Sequence, residues 1–278
     1  MTETRASDDQ ERDIRADYHT MAERYDALRS MEICARRLVE LAAIPPGAQV
    51  LDIATGTGWV ALAAAEHVGP TGRVLGVDLS PEMLTRAQQK VTAAGLTNVA
   101  FQAGDAQRLD LADQRCDVAL CGSALWLVPD MHAVLKEMHR VLKPEGQVAF
   151  SAQGSTLLQP LLDLWDARLR HYGVSVPPPS PNQRLLAEPE TCRRLLHEAG
   201  FVQIEVQREQ LGYYFQTVEE YWEEMLAGRR GVTFLQLTPA QREQFKAEHF
   251  AELKELATAQ GIWRDGAVHF ARGWKRTA

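Results

Sequence analysis

The chain has 278 residues, 45% of them hydrophobic and 24% charged, with a formal net charge of −7. That composition suits a soluble globular fold with a sizeable core and excludes collagen-like or wholly disordered chains. The acidic balance offers no broad basic face for a phosphate backbone, so no nucleic-acid partner is expected. No apolar run reaches the length of a membrane span, and the polar amino terminus lacks the apolar core of a signal peptide, so a cytoplasmic location is expected. The four cysteines, Cys34, Cys116, Cys121 and Cys192, show no C-x-x-C spacing, and the eight histidines show no H-x-x-x-H. Free thiols and no metal site are therefore expected.

In chain order, residues 1–12 read as a disordered tail. Tyr18, Met21, Tyr25 and Leu28 recur at helical spacing and predict an amphipathic helix over 14–28. A second helix, Met31–Leu41, ends before Pro45-Pro46-Gly47. Strands are predicted at 49–53, 73–77, 98–103, 116–121 and 146–151, with helices at 59–67, 81–94 and 130–141 between them. Ser80 caps the second of these helices, with Pro81 in its first turn and Gly95 past its end. Asp130 caps the third, which turns Val134, Leu135, Met138, Val141 and Leu142 toward the sheet.

Past Ser151 a helix is predicted over 156–172, then a stiff loop at Pro177–Pro181, a helix at 188–199 and a strand at 201–209. Two further helices open on the capping boxes Thr217/Glu220 and Thr238/Gln241, and 267–274 closes the chain as an antiparallel strand. The whole is an α/β fold, a doubly wound, seven-stranded, mostly parallel sheet with helical insertions. The core comprises 44–152, 188–212 and 263–278, and the insertions are 153–187 and 213–262. Insertions at the carboxyl edge of such a sheet lie where ligands bind, so they are expected to cap a substrate. The alternatives are a longer core or a homodimer contact.

The densest signal is Val50 to Gly58. A buried strand empties into Ala54-Thr55-Gly56-Thr57-Gly58, and the next strand ends in Asp78, placed to accept from a ribose diol. Gly56 to Ala61 also satisfies the dinucleotide pattern G-x-G-x-x-A. Asp52 decides between the two cofactors. Its carboxylate precedes the glycines and would repel a pyrophosphate, whereas it attracts the ammonium and sulfonium groups of S-adenosylmethionine. Two more strand ends follow, at Gly104-Asp105-Ala106 and at Cys121-Gly122-Ser123.

Taken with the Leu142-Lys143-Pro144-Glu145-Gly146 turn, these residues make the chain resemble the class I S-adenosylmethionine-dependent methyltransferases. It is most similar to the ubiquinone and menaquinone C-methyltransferase branch, over Tyr18–Ser151 and only in outline beyond. The resemblance implies that Gly56, Thr57 and Gly58 pass the methionine moiety, with Ala54 standing where the turn's first glycine is usual. It gives Asp52 to the charged end, Asp78 to the ribose, Leu79 and Met83 to one adenine face, and Gly104, Asp105 and Ala106 to the adenine edge. Where that branch places a cofactor-contacting serine after the fourth strand this chain has Gly122, with Ser123 next, and Cys121 before it is a further cofactor-binding candidate.

The pattern Tyr18…Ala22…Tyr25-Asp26 resembles the family's lid, which makes 13–43 lid helices and Tyr18 a cofactor contact. The implied reaction is in-line methyl transfer to a carbon, oxygen or nitrogen of a small aromatic or apolar acceptor. Tyr25, Ser123, Trp126, Tyr213 and Tyr214 are the candidates for the acceptor pocket. His19 is the one candidate general base, its other reading being a solvent-facing side chain. The Asn-Pro-Pro-Tyr sequence of amide and exocyclic-amine methyltransferases is absent. Two other functions compete: a methyltransferase for RNA or protein, and a regulatory protein that holds the cofactor without turnover.

Overall fold

The computed structural model describes residues 17–277. The expected tail and the start of the first helix lie outside the described residues. Seven strands form one sheet in the order β3-β2-β1-β4-β5-β9-β6. They are β1 Gln49–Ile53, β2 Arg73–Asp78, β3 Val99–Ala103, β4 Cys116–Cys121, β5 Leu142–Gln153, β6 Val202–Gln210 and β9 Ala267–Trp274. Only β9 runs antiparallel, against both β5 and β6. The strand order reverses between β1 and β4, which opens a crevice beyond their carboxyl ends.

The apolar runs dictate this arrangement. Leu51, Ile53 and Cys121 point into a core shared with the helices Met131–Val141 and Pro189–Glu198. Val50, Val118 and Leu120 point the other way, onto the helices Arg29–Ala42 and Trp59–Val68. Burial on both faces is what continuous apolar strands require. The caps form as the sequence predicts: Ser80 Oγ accepts from Met83 N–H at 3.3 Å, and Asp130 from Ala133 N–H at 3.0 Å. Among the described residues, no helix is long and apolar enough to cross a membrane.

A third core lies outside the sheet. It joins the helices Leu161–His171, Val218–Ala227, Arg229–Phe234 and Pro239–Leu256 around Trp165, whose ring meets Tyr221, Trp222, Phe234, Phe245 and His249. Two short strands, β7 Tyr213–Phe215 and β8 Ile262–Arg264, pair at the base of this insertion. Neither these strands nor the helix Arg229–Phe234 was expected.

Four local expectations change. The helix expected over 14–28 breaks: 17–21 is helical, a turn follows, and Tyr25–Ala27 is a single 3₁₀ turn. We call 17–28 the strap. Asp26 explains its second half, because its carboxylate accepts from Thr57 Oγ1 at 2.6 Å and Lys90 Nζ at 2.8 Å across the crevice mouth. The helix expected from residue 156 starts at Leu161, since Pro160 lacks the N–H a preceding turn would need. Pro181, assigned to a loop, opens a short helix, Pro181–Leu186, capped by Ser180. The box at Thr238/Gln241 closes fully, whereas Glu220 reaches past Thr217 to the Gln216 N–H at 2.7 Å.

Candidate active site

Three carboxylates stand at successive strand ends along one side of the crevice. Asp52, at the end of β1, is fully buried. Its Oδ2 accepts from Thr55 Oγ1 at 2.5 Å, and its Oδ1 has no hydrogen-bond partner among the described residues. Burial pushes this carboxyl up to about 7; the Thr55 bond and the Ala61 backbone N–H oppose the shift, and the neighbouring Asp78 reinforces it. Asp78, at the end of β2, accepts from Gly56 N–H at 2.8 Å and Ser80 N–H at 2.9 Å, one bond per oxygen. Burial raises it too, against those backbone bonds. Asp105, past β3, accepts on Oδ1 from the Gln107 backbone at 2.8 Å.

The glycine turn divides its labour differently from expectation. Ala54, Gly56 and Gly58 all have positive φ, at 53°, 55° and 84°. A Cβ at Gly56 would meet nothing within 4 Å, so the backbone there is open to a ligand. Gly58 was expected to pass the cofactor, yet it does not line the crevice. A Cβ on Gly58 would sit 3.1 Å from Ala87 Cβ and 3.3 Å from Phe101 Cζ, so helix and sheet packing demand the glycine. Thr57 Oγ1 donates to Asp26 and so ties the turn to the strap.

After β4, Gly122 lines the crevice but has no room for a side chain, because its Cβ would fall 2.6 Å from Val60 Cγ2. Cys121 is a correction. It lies in the core, off the crevice, where burial pushes its thiol up to about 12.

Tyr18, Tyr25, Ala54, Leu79, Met83, Gly104, Ala106 and Ser123 all line the crevice. The strap tyrosines lie with ring centroids 5.9 Å apart, and burial pushes the Tyr18 phenol up to about 12. Lys90, which bonds Asp26, lies 3.2 Å from the centroid of the Trp59 ring, another lining residue. Met31, Cys34, Ala35, Leu127, Val128 and Pro129 line its uncharged side and were not foreseen. The Arg29–Ala42 helix carries three of them, and no motif marks them.

Four candidates fall away. His19 is largely exposed and faces Glu82 at 3.3 Å. Trp126 is buried in the core, its Nε1 donating to Ser123 C=O at 3.0 Å. Tyr213 donates its hydroxyl to Glu224, and Tyr214 packs on Trp263. None of the four lines the crevice.

Nor does any residue of the insertions 153–187 and 213–262. They touch residues around it instead: Arg229 Nε donates to Asp17 of the strap at 2.8 Å, Arg29 at the start of the next helix lies over the Tyr213 ring at 4.8 Å, and Asn182 Nδ2 donates to the C=O of the lining residue Val128 at 2.7 Å.

Comparison with known proteins points the same way. The family described as Methyltransferase domain matches residues 44–200. A demethylmenaquinone methyltransferase of Geobacillus kaustophilus is 47% identical over 103 residues, 37% of this chain and 44% of that protein. The chain spans less than half the length of this and three other curated relatives it matches. A ubiquinone/menaquinone biosynthesis C-methyltransferase of Ectopseudomonas mendocina is 31% identical over 205 residues, 67% of this chain and 80% of that protein. In three dimensions the YcgJ protein of Bacillus subtilis superposes with a TM-score of 0.58 at 22% identity, covering 88% of this chain and 99% of that one.

Proposed function

The chain belongs to the methyltransferase-domain family, and on that premise we propose that it is an S-adenosylmethionine-dependent enzyme that methylates a carbon, oxygen or nitrogen of a small, apolar or aromatic molecule. One observation carries the reading: the crevice is acidic along the strand ends and uncharged along Met31, Cys34, Ala35, Ser123 and Leu127–Pro129. The first side suits a cationic nucleoside and the second a greasy partner. Relatives named for demethylmenaquinone and for ubiquinone/menaquinone biosynthesis support a flat ring as that partner.

The residues present fit the cofactor. The buried Asp52 carboxylate lines the crevice and suits a cation such as an ammonium, and the open space at Gly56 admits a close backbone contact. Asp78 would take the ribose hydroxyls, Asp105 the adenine amine, and Leu79 with Met83 an adenine face. S-adenosylmethionine supplies a methyl group already activated by the sulfonium charge. The protein's share is alignment and the exclusion of water. Tyr18 and Tyr25 cover the crevice, and Asp26 with Lys90 fastens them.

Calorimetric titration with S-adenosylhomocysteine and with NAD tests the cofactor reading. S-adenosylhomocysteine should bind and NAD should not; preferential binding of NAD would overturn it. Incubation with a metabolite extract and labelled cofactor should yield a labelled small molecule that survives nuclease and protease. Label found only in macromolecules would transfer the enzyme to another acceptor class.

A further inference from the structure

Inside the uncharged side of the crevice lies a closed set of three polar side chains. Cys34 comes from the helix Arg29–Ala42, Ser123 from the turn after β4, and Ser151 from β5. Ser151 Oγ is 2.9 Å from Ser123 N, 3.1 Å from Ser123 Oγ and 3.4 Å from Cys34 Sγ. Cys34 Sγ and Ser123 Oγ are themselves 3.4 Å apart. Ser151 is buried at 1% exposure and Cys34 at 5%, while Ser123 is only partly covered and lines the crevice.

The protons of this set can be assigned. A hydroxyl oxygen has two lone pairs and one proton. Ser151 Oγ accepts from the Ser123 N–H, and it accepts from the Cys34 thiol, which donates to it. Both lone pairs are then filled, so its proton goes to Ser123 Oγ. Ser123 Oγ thus receives a hydrogen bond and keeps its own proton for donation. Among the described residues its one remaining acceptor is the Cys34 sulfur, a weak one, and any oxygen in the crevice would be better. The backbone reinforces the aim, because Ser123 is held at φ 54° by the bond from its own N–H to Ser151.

We propose that Ser123 is the residue that selects the methyl acceptor, donating its hydroxyl proton to an oxygen carried by an otherwise apolar ring, with Ser151 and Cys34 as positioning residues. The inference rests on the small-molecule reading above and deepens it. The acceptor class is a ketone, a phenol or the conjugate base of one. Tyr25, Met31, Ala35, Leu127, Val128 and Pro129 around the triad bring no charge to pair with a carboxylate or an ammonium. A hydroxyl donor also strengthens its bond as negative charge grows on the oxygen, which suits an acceptor activated as phenolate or enolate.

The test uses the full chain saturated with S-adenosylhomocysteine and two probes of one shape, 1-tetralone and tetralin, with dissociation constants read by ligand-observed NMR. The variants are Ser123→Ala and Ser123→Gly. The glycine is at ease at positive φ, so it removes the hydroxyl without threatening the fold. Both variants should bind 1-tetralone about three- to tenfold more weakly than the wild type, the size of one neutral hydrogen bond. Tetralin and S-adenosylhomocysteine affinities should not move. Ser151→Ala should give a smaller loss for 1-tetralone alone. Equal weakening of both probes, an unchanged 1-tetralone constant, or no 1-tetralone binding to the wild type would overturn the proposal. Failure of S-adenosylhomocysteine to bind the wild type would instead overturn the cofactor reading.

Discussion

The two sides of the crevice differ in chemistry because they differ in construction. The acidic side is made by strand ends, Asp52, Asp78 and Asp105, whose spacing follows from the parallel register of β1, β2 and β3. The uncharged side is made by a helix, a strap and a turn, brought together by packing between residues distant in the chain, as Cys34, Ser123 and Ser151 are. Sheet register fixes charges that every ligand of the site must meet. The packed side is free to vary, and so is where specificity for one acceptor can reside.

The largest break in this comparison should come from Asp78→Ala. It removes the ribose acceptor and strands the Gly56 and Ser80 N–H groups, which at roughly 1.5–3 kcal/mol for a charged hydrogen bond weakens S-adenosylhomocysteine about tenfold to a hundredfold by calorimetry. 1-Tetralone binding to the cofactor-free protein should stay unchanged. Loss of both together would mean the two sides are not separate.

Asp52 gives the next effect, through pH. Its folded carboxyl titrates near 7, above the ordinary 3.8 of the unfolded chain. Between about pH 4 and 7 the unfolded state therefore holds fewer protons, and this group's contribution to stability falls as pH rises, by at most roughly 4 kcal/mol. A cationic ligand has the opposite dependence, because it favours the ionised form. Affinity for the ammonium-bearing cofactor should fall by up to about tenfold per unit below pH 7, and level off above it until the ligand's own ammonium deprotonates at about pH 8. Asp52→Asn should abolish that slope and should flatten the melting temperature over the same window. A slope that persists in the variant would assign it elsewhere.

Smaller effects should come from the strap, which spans both sides. Lys90→Ala removes the bond to Asp26 and the cation over Trp59, and should weaken S-adenosylhomocysteine about threefold to tenfold. Hydrogen exchange at 17–28 should quicken while melting changes little. Arg229→Ala cuts the partly exposed pair with Asp17, for which about 0–1 kcal/mol is usual, so at most about fivefold is expected. Asp17→Arg combined with Arg229→Asp should restore what either loses. Identical exchange in all of these variants would show that the strap is held by its tyrosines alone.

The strand ends were legible because their signals are local. A short apolar run with a carboxylate at or just past its end recurs at Asp52, Asp78 and Asp105, and each lines the crevice. Caps at Ser80 and Asp130 were legible for the same reason. Gly58 and Cys121 lie off the crevice lining; a glycine or a strand-end residue looks alike in sequence whether it faces a ligand or a neighbouring helix, and the 3.1 Å approach of a Gly58 Cβ to Ala87 shows the packing side. Tyr213 and Tyr214 follow a strand of the same sheet, but β7 turns them toward β8 and the insertion. Cys34 could not have been found, since its role depends on hydroxyls 89 and 117 residues away. The polar set that the further inference uses is thus invisible to motif reading.

The neck of the second insertion carries a consequence of its own. Chain enters at Gly212 and returns at Gly266, and the two backbones pass so closely that a Cβ on Gly212 would lie 2.5 Å from Arg264 C=O and one on Gly266 2.5 Å from Gly212 N. Just below, Gln210 pairs with Ala267, and Leu211 N–H donates to Gly266 C=O at 3.0 Å. The excursion from 213 to 264 is therefore a purse drawn shut at its own mouth, and its length costs the sheet almost nothing, since loop-closure entropy grows only slowly with loop length. The excursion is not self-contained, however: it shares its core with the helix Leu161–His171, whose Trp165 packs on Tyr221, Trp222, Phe234 and Phe245. A different cassette spliced at the same two glycines would keep the β6–β9 register but would have to rebuild that core and the contacts with Asp17, Arg29 and Trp126.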